Sequence, residues 1–457
     1  MLLDVLSEQN PQWQNDGRGQ GPGFERDIVA RLEPILSGPL PGGVRRAVVL
    51  SGLRRSGKST VLRQLASRLA RQAESPTDVV YLDLGDPRIL GISVEGLLEA
   101  TGLLRTRPAT RTLLLDEVGH DRVWPDSIKR LVDLGPDAPG IIVADSAAAR
   151  LRASPGGETA VGRRIDLELT PMTLGEIARA SGLSTGDPRD ADPQRLGMLA
   201  DEYLVRGGLP EVALPGSPSF TSGDAYRILR EDAANILALD APRIREVRDV
   251  HALRRLWAML ARGASLSLNV GKIASALEIS RQTVEQLLSV LSELFLVREV
   301  PCRGDGPAAP IRNPPKWLVA DPGIAAAHLT ENERGDPVHR GYLVESAAAL
   351  HLAAARQELP GLEITYARAA KEIDFVVRHP DIETVGIEMK HFDRPAEAVD
   401  DERAARVAAE FGVRTLIRVT RQPVPRLAVV AGCTIRTEPL WRFLNWPVPL
   451  LKGGIEP

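Results

Sequence analysis

The chain has 457 residues, of which 43% are hydrophobic, and its formal net charge is −3 at neutral pH. This length predicts about two to four domains, and the mean hydropathy of −0.10 is typical of a soluble globular chain. No apolar stretch approaches the ~18–20 residues of a membrane span, and the N-terminal residues lack the basic start and apolar core of a secretory signal, so we expect neither. Two cysteines fit neither a disulfide framework nor a zinc site, so we expect a cytoplasmic protein. Because the net charge is slightly negative, we expect any nucleic-acid contact to come from local patches of positive charge.

The first predicted domain is a parallel α/β domain. Residues 1–24 are expected to form a flexible N-terminal segment. Between residues 25 and 180, apolar runs alternate with helical stretches, which is the pattern of strands connected by crossover helices. The predicted strands are 47–50, 79–84, 111–115, 140–144 and 165–169.

A glycine-rich segment follows the first predicted strand. Residues 52–59 read G-L-R-R-S-G-K-S and precede a helix, which is the order of a phosphate-binding P-loop. The glycines let backbone N–H groups turn inward, and the helix N-terminus adds positive potential. Lys58 is predicted to reach the β- and γ-phosphates of ATP. The alternative is a turn that matches by chance. The predicted nucleotide-binding residues are Gly52, Arg54, Arg55, Ser56, Gly57, Lys58, Ser59 and Thr60.

Two carboxylates at the end of the strand 111–115 predict the second half of such a site. Asp116 is expected to hold Mg²⁺ together with the Ser59 hydroxyl, and Glu117 to polarise the water that attacks the γ-phosphate. The alternative is a strand that runs into a solvated acidic loop. After the fourth strand, Ser146 is a candidate sensor of the γ-phosphate.

Residues 181–250 are predicted to form a helical lid and residues 251–320 a winged helix-turn-helix. The apolar spacing from Lys272 onward gives two helices separated by a tight turn, and two later apolar runs are expected to pair as wing strands. A winged helix reads DNA with the start of its second helix; the alternative is a structural clamp between domains. The predicted DNA contacts are Arg281, Gln282, Thr283 and, in the Pro-rich wing, Arg303.

The last predicted domain, residues 321–450, carries a set of acidic and basic residues. Asp374 and Glu388 lie on two strands that a short connection would pair as a hairpin, and Glu345 lies on an apolar helix. These three carboxylates are predicted ligands of Mg²⁺ or Mn²⁺, with Lys390 assisting phosphodiester cleavage. The alternative is a hairpin whose polar face is solvated and ion-paired.

The order of these motifs resembles that of bacterial and archaeal AAA-type ATPases with a C-terminal restriction-endonuclease-like domain. The resemblance rests on the P-loop, "LLLDE", "RGGLPE", "ADPG", "VES" and "EIDF…IEMK", and it spans about residues 40–445. It implies a PD-(D/E)xK fold in the last domain, with its motif on Glu345, Asp374, Glu388 and Lys390. It also implies that Arg163 senses nucleotide or acts in trans within a homo-oligomer.

We therefore expect a multidomain α/β protein: an AAA-type parallel-sheet core, a helical lid, a winged helix and a mixed α/β nuclease-like domain. The expected function is Mg²⁺-dependent ATP hydrolysis coupled to DNA binding and metal-dependent DNA cleavage. The alternative is a nucleotide-dependent switch or binding module in which the nuclease fold is inactive and grips DNA or protein.

Overall fold

The structure, a computed structural model, forms two compact units, Met1–Leu169 and Thr170–Pro457. Among the residues described, no helix combines the length and the apolar character that a bilayer crossing requires. The described residues are 2–14, 23–38, 45–103, 108–121, 123–145, 162–216, 222–244, 249–263, 270–303, 314–368, 372–390, 398–421 and 426–454.

The first unit contains a five-stranded sheet with the order β2-β3-β4-β1-β5, in which every pairing is parallel. The alternation of apolar runs with helices predicts this arrangement, and each predicted strand is confirmed to within one residue at either end. The strands are β1 Ala47–Ser51, β2 Val79–Asp83, β3 Thr112–Asp116, β4 Gly140–Ala144 and β5 Arg164–Glu168.

Helices cover both faces of this sheet. Alternate residues of β1 belong to two different hydrophobic cores: Val49 is part of the core that includes residues of α1, α4 and α5, whereas Val48 is part of the core that includes residues of α2 and α3. Both faces of the central strands are therefore buried, which explains why their sequences are continuous apolar runs. The helices are α1 Leu2–Gln9, α2 Asp27–Ser37, α3 Lys58–Ala70, α4 Val94–Thr101 and α5 Trp124–Val132.

The N-terminal residues pack against the outer strand β2, so the prediction of a flexible segment is wrong for residues 2–13. The Asn10 side chain donates to the Tyr81 carbonyl oxygen at 2.8 Å and accepts from the Tyr81 N–H at 2.7 Å. The indole N–H of Trp13 donates to the carbonyl of Val79 at 2.8 Å. These groups satisfy backbone atoms that an exposed edge strand would leave unpaired.

The second unit begins with a mainly helical region. A π-helix, Ile236–Asp240, directly follows the helix Ser222–Asn235. The helices of this region are α6 Leu174–Ala180, α7 Pro193–Arg206, α8 Pro210–Ala213, α9 Ser222–Asn235, α10 Ala241–Ile244, α11 Val250–Ala261, α12 Val270–Leu277, α13 Arg281–Glu293, α14 Pro322–Ala327, α15 Glu331–Gly335 and α16 Pro337–Ala355.

A tight turn joins α12 to α13, as the sequence predicts. Glu278 adopts φ 58°, and Ser280 caps α13 by accepting from the Thr283 N–H at 3.0 Å. Beyond α13, β6 Val297–Val300 pairs antiparallel with β8 Lys316–Val319.

The remaining strands form a mixed seven-stranded sheet with the order β13-β14-β12-β11-β10-β9-β7. The predicted antiparallel hairpin is present: Phe375 of β10 pairs with Ile387 of β11. The strands are β7 Cys302–Arg303, β9 Glu363–Arg368, β10 Glu372–His379, β11 Ile382–Lys390, β12 Thr415–Thr420, β13 Arg426–Val430 and β14 Cys433–Pro439, and the last helices are α17 Ala398–Glu410, α18 Leu440–Asn445 and α19 Pro447–Leu451.

A close backbone approach joins the start of the second unit to the glycine pair after α7. The Met172 N–H donates to the carbonyl of Gly208 at 2.7 Å, and the Gly208 N–H donates to the buried carboxylate of Asp321 at 2.7 Å. A Cβ on Gly208 would lie 2.1 Å from the Met172 carbonyl oxygen, so this position requires glycine.

Candidate nucleotide site and C-terminal carboxylate cluster

The P-loop joins β1 to α3 through a backbone that only glycine adopts readily. Gly52 has φ 152° and Gly57 has φ 100°. A Cβ on Gly52 would lie 2.3 Å from the carbonyl oxygen of Leu169, so a side chain does not fit there. The Arg26 guanidinium donates to the Ser56 carbonyl at 2.8 Å and supports the loop from the N-terminus of α2.

The buried Lys58 side chain reaches back across this loop. Its Nζ donates to the carbonyls of Gly52 at 2.9 Å and Leu53 at 3.0 Å. Burial lowers the Lys58 pKa, and the nearby carboxylates of Glu117 and Asp116 oppose that shift. An ammonium held over the loop can therefore meet phosphate oxygens there. The other predicted nucleotide-binding residues occupy the loop and the first turn of α3: Arg54, Arg55, Ser56, Gly57, Ser59 and Thr60.

Asp116 ends β3 at the carboxyl edge of the sheet, the edge that also carries the P-loop. It is 2% exposed. Its Oδ2 accepts from the Tyr81 hydroxyl at 3.0 Å and its Oδ1 from the Glu117 N–H at 3.0 Å. A fixed carboxylate and the Ser59 hydroxyl are both oxygen donors of the kind that Mg²⁺ prefers, so the donor set at this edge fits that ion.

Glu117 lies in a left-handed backbone conformation, with φ 50°, next to two further carboxylates. Burial first, and then the negative charges of Asp145 and Asp116, raise the Glu117 pKa to about 7. Such a carboxyl can exchange a proton near neutral pH, as a group that activates water must.

The prediction missed two residues of this site, Tyr81 and Asp145. Asp145 is 1% exposed and directly follows β4, which lies between β1 and β3. Its position at a strand's carboxyl end, like that of Asp116, is the signal that could have identified it. Tyr81 gives no comparable signal, since its hydroxyl meets Asp116 only after β2 and β3 pair.

Arg163 is not brought to the P-loop of its own chain. Its carbonyl accepts from the N–H of Ala47, the first residue of β1, at 2.9 Å, which places it at the amino edge of the sheet. Its Nε lies 2.5 Å from the Asp133 carboxylate. The proposed sensor Ser146 lies outside the described residues.

The predicted DNA-contact residues occupy two elements. Arg281 and Gln282 are exposed in the first turn of α13, whereas the Thr283 hydroxyl lies 2.8 Å from that of Ser280 at the helix cap. Arg303 lies on β7, which pairs with β9 in the seven-stranded sheet and not with β6 or β8.

In the second unit, two of the predicted metal ligands lie next to a lysine that was not among the predicted site residues. Lys316, on β8, is fully buried. Its Nζ lies 3.2 Å from Glu345, 3.4 Å from Asp374 and 2.5 Å from Glu372. Burial and the neighbouring Asp374 carboxylate raise the Glu345 pKa to about 8. We call these four residues the Lys316 cluster.

Glu388 faces other cations. Its Oε1 lies 3.4 Å from Lys390 Nζ and its Oε2 accepts from Arg418 Nε at 3.1 Å, and Arg418 also donates to Asp401. Glu345 and Asp374 therefore share Lys316 as a partner, whereas Glu388 pairs with Lys390 and Arg418. Across the described part of the chain, no three His, Cys, Asp or Glu side chains gather as a metal-binding group.

Two regions of the chain match known families. Residues 44–178 match a family described as "AAA domain", and residues 198–334 match a domain of unknown function, DUF8612. The second match spans the region from α7 to α15 together with the β6–β8 pair.

Curated relatives resemble most of the chain. A protein of Haemophilus influenzae, described as uncharacterized, is 24% identical over 353 residues, which cover 73% of this chain and 80% of that protein. An uncharacterized protein of Mycobacterium tuberculosis is 25% identical over 349 residues, which cover 71% of this chain and 66% of the mycobacterial protein.

Two solved structures show some likeness to this chain. The Aeropyrum pernix ORC1 protein in complex with DNA is 16% identical, with a TM-score of 0.28, and the match covers 70% of this chain and 94% of that one. AMPPCP-bound DnaA from Aquifex aeolicus is 14% identical, with a TM-score of 0.27, and the match covers 62% and 92% respectively.

The family match and the geometry describe the same region. The matched residues contain the parallel sheet, the P-loop with its buried lysine and the acidic end of β3. Residues 44–178 are therefore an AAA-type P-loop domain.

Proposed function

We propose that this protein is a Mg²⁺-dependent ATPase that acts on DNA. The observation that carries the first part is the placement of Lys58, Asp116 and Glu117 at the carboxyl edge of one parallel sheet. Phosphate binding and water activation need a cation and a base within reach of each other, and this edge supplies both.

Each residue has a distinct role in this proposal. The P-loop N–H groups and the Lys58 ammonium bind the phosphates and orient the γ-phosphoryl group. Glu117 accepts the proton of the attacking water, since its raised pKa makes it a stronger base than an ordinary carboxylate. Ser59 and Asp116 would hold Mg²⁺, which neutralises phosphate charge when bound.

Phosphate release tests the ATPase proposal. We expect release that requires Mg²⁺ and stops in EDTA, and that falls at least 100-fold in Lys58→Ala, whose removed ammonium binds and orients the phosphates. Lys129→Ala is the matched control, because Lys129 lies on α5, away from the P-loop. Release by Lys58→Ala at the parental rate would contradict the proposal.

We assign the DNA contact to the start of α13. Arg281 and Gln282 are exposed there, in the position from which the second helix of a helix-turn-helix reaches a groove. Binding through phosphates weakens as salt rises, with a log–log slope of about −0.9 per contact. Arg281→Ala should lower duplex affinity and flatten this slope, whereas Arg227→Ala, an equal charge change at an exposed position of α9, should not. Equal losses in both variants would return this helix to a structural role.

We also propose that the ATP site is completed by a second subunit through Arg163. Arg163 lies at the amino edge of its own sheet, remote from its own P-loop, so a phosphate contact by this arginine must be made at the site of a neighbouring subunit. Mixing Arg163→Ala with Lys58→Ala tests this: each alone should be inactive, and the mixture should recover activity. If the mixed oligomer forms but its activity does not recover, the trans role is refuted.

Of the two roles expected for the C-terminal domain, we propose that it holds its target without cutting it. The observation that favours this role is that Glu345 and Asp374 face Lys316, while Glu388 faces Arg418. Plasmid and single-stranded DNA should stay intact with Mg²⁺ or Mn²⁺, with and without ATP; cleavage that Asp374→Ala abolishes would contradict this role.

We also propose a cytoplasmic location. Both cysteines are buried and free, which agrees with that proposal.

A further inference from the structure

We infer that the Lys316 ammonium is a built-in cation which takes the place of a divalent metal ion between Glu345, Glu372 and Asp374. This inference deepens the proposed holding role of the C-terminal domain, and it is independent of ATP hydrolysis. It assigns to Lys316 a function that no motif in the sequence suggests.

The coordination of the ammonium is complete. An ammonium has three N–H donors, and three carboxylates lie within 3.4 Å of the Lys316 Nζ: Glu372 at 2.5 Å, Glu345 at 3.2 Å and Asp374 at 3.4 Å. The lysine side chain is 0% exposed, so the ammonium has exchanged water for these oxygens. A buried charge needs such partners, which explains why the carboxylates gather here without a metal.

The backbone and an aromatic ring fix the position of this lysine. Lys316 is paired with Val300 in the β6–β8 ladder, so its Cα cannot withdraw without breaking that pair. Its Nζ lies 5.3 Å from the centre of the Tyr366 ring, and the Tyr366 hydroxyl donates to the carbonyl of Pro314 at 2.6 Å. The ammonium is thus held by the strand, the ring and the carboxylates together.

The oxygens that a metal would need are also engaged. Asp374 uses Oδ1 toward Lys316 and Oδ2 to accept from the Met389 N–H at 2.8 Å. Glu388 uses one oxygen toward Lys390 and the other toward Arg418. A metal ion would have to displace these partners and also the lysine, and a like charge close to Lys316 would be repelled.

Removal of the Lys316 ammonium should allow a divalent metal ion to bind between the three carboxylates. Without the ammonium, Glu345, Glu372 and Asp374 would face one another as crowded carboxylates, an arrangement that a divalent cation relieves. Lys316→Met keeps an unbranched side chain that is one atom shorter than lysine, and it removes the ammonium group. We therefore expect this variant to gain a metal site at the cluster.

Binding of Mn²⁺ tests the inference. The full chain is titrated without nucleotide, and every protein carries Asp116→Asn to silence the ATP site; free Mn²⁺ is followed by electron paramagnetic resonance. We expect the parent, which keeps Lys316, and its Asp374→Asn variant to bind the same number of Mn²⁺ ions. Lys316→Met should bind one additional Mn²⁺ per chain, and Lys316→Met/Asp374→Asn should lose that additional ion. Lys272→Met, which changes an exposed lysine, should match the parent.

Two results would overturn the inference: an Asp374-dependent Mn²⁺ in the parent, or a folded Lys316→Met that gains none. If Lys316→Met fails to fold by circular dichroism, the comparison of the parent with Asp374→Asn decides alone. Duplex DNA affinity is measured on the same proteins. If the parent does not bind duplex DNA, the proposed function is refuted, whereas the inference about Lys316 still rests on the number of Mn²⁺ ions bound.

Discussion

The Tyr81 hydroxyl donates a 3.0 Å hydrogen bond to Oδ2 of Asp116, and both side chains are buried. Tyr81 lies on β2 and Asp116 on the neighbouring β3, so the bond fixes the carboxylate from the adjacent strand. Asp116 is thereby oriented before any ligand arrives. Pre-orientation of this kind lowers the cost of assembling a metal-binding and catalytic site.

Tyr81→Phe should weaken Mg²⁺ binding, so that ATP hydrolysis requires more Mg²⁺ but is not abolished. The variant loses one hydrogen bond to a charged group, which is worth about 1.5–3 kcal/mol, so we expect roughly a tenfold or larger rise in the Mg²⁺ concentration for half-maximal rate. Tyr203→Phe is the matched control, because its buried hydroxyl donates to the Met172 carbonyl in the second unit. An unchanged Mg²⁺ requirement in Tyr81→Phe would show that Asp116 needs no such support.

The pH dependence of kcat/KM should reveal Glu117. Burial and neighbouring carboxylates raise its pKa to about 7, so it is protonated and inactive as a base at pH 6 and ionised at pH 8. We expect kcat/KM to rise across this window with a midpoint near 7, since this ratio reports the free protein. A midpoint near the ordinary glutamate pKa of 4.5 would contradict the assignment.

His351 should make the second unit sensitive to acid. Its Nε2 accepts from the Leu174 N–H at 2.9 Å, and burial lowers its pKa to about 4 from 6.5. As the pH falls, the unfolded chain binds the proton before the folded chain does. The contribution of neutral His351 to the free energy of unfolding is therefore fully present above pH 6.5, and about 3 kcal/mol is lost as the pH falls toward 4. In urea titrations, His351→Gln should reduce this loss, whereas exposed His251→Gln should leave it unchanged. Equal acid sensitivity in both variants would refute the role of His351.

Gly208→Ala should strongly destabilise the protein. Its Cβ would lie 2.1 Å from the Met172 carbonyl oxygen, a backbone atom that cannot rotate away. Overpacking of this kind costs about 1–3 kcal/mol or more, and we expect the melting temperature to fall by several degrees. Gly186→Ala, with no atom within 4 Å of its Cβ, is the control. Equal melting temperatures would contradict the close approach.

Local patterns predicted the strands and the P-loop well, because apolar runs and glycine positions report backbone requirements directly. Gly52 and Gly57 have the positive φ angles that the motif demands, and β3 ends at Asp116 as its sequence indicates. The docking of residues 2–13 was missed, since an Asn10 side chain that caps an edge strand leaves no periodic signal.

The C-terminal domain shows the limit of such patterns. A glutamate and a lysine two apart on a strand share a face, and Glu388 and Lys390 do contact each other. Lys316, however, lies 29 residues before Glu345 and 58 before Asp374. Only the assembled strands bring these groups together, so carboxylates that read as metal ligands in the sequence meet an ammonium in the structure.

The nucleotide retained by Glu117→Gln tests the central claim most directly. The parent and the variant are incubated with ATP and Mg²⁺, separated rapidly from free nucleotide, denatured, and assayed for bound ATP and ADP. The variant keeps the shape of the site but lacks the base, so we predict bound ATP in the variant and ADP in the parent. ADP in both proteins, formed at equal rates, would contradict the claim that Glu117 drives hydrolysis at this P-loop.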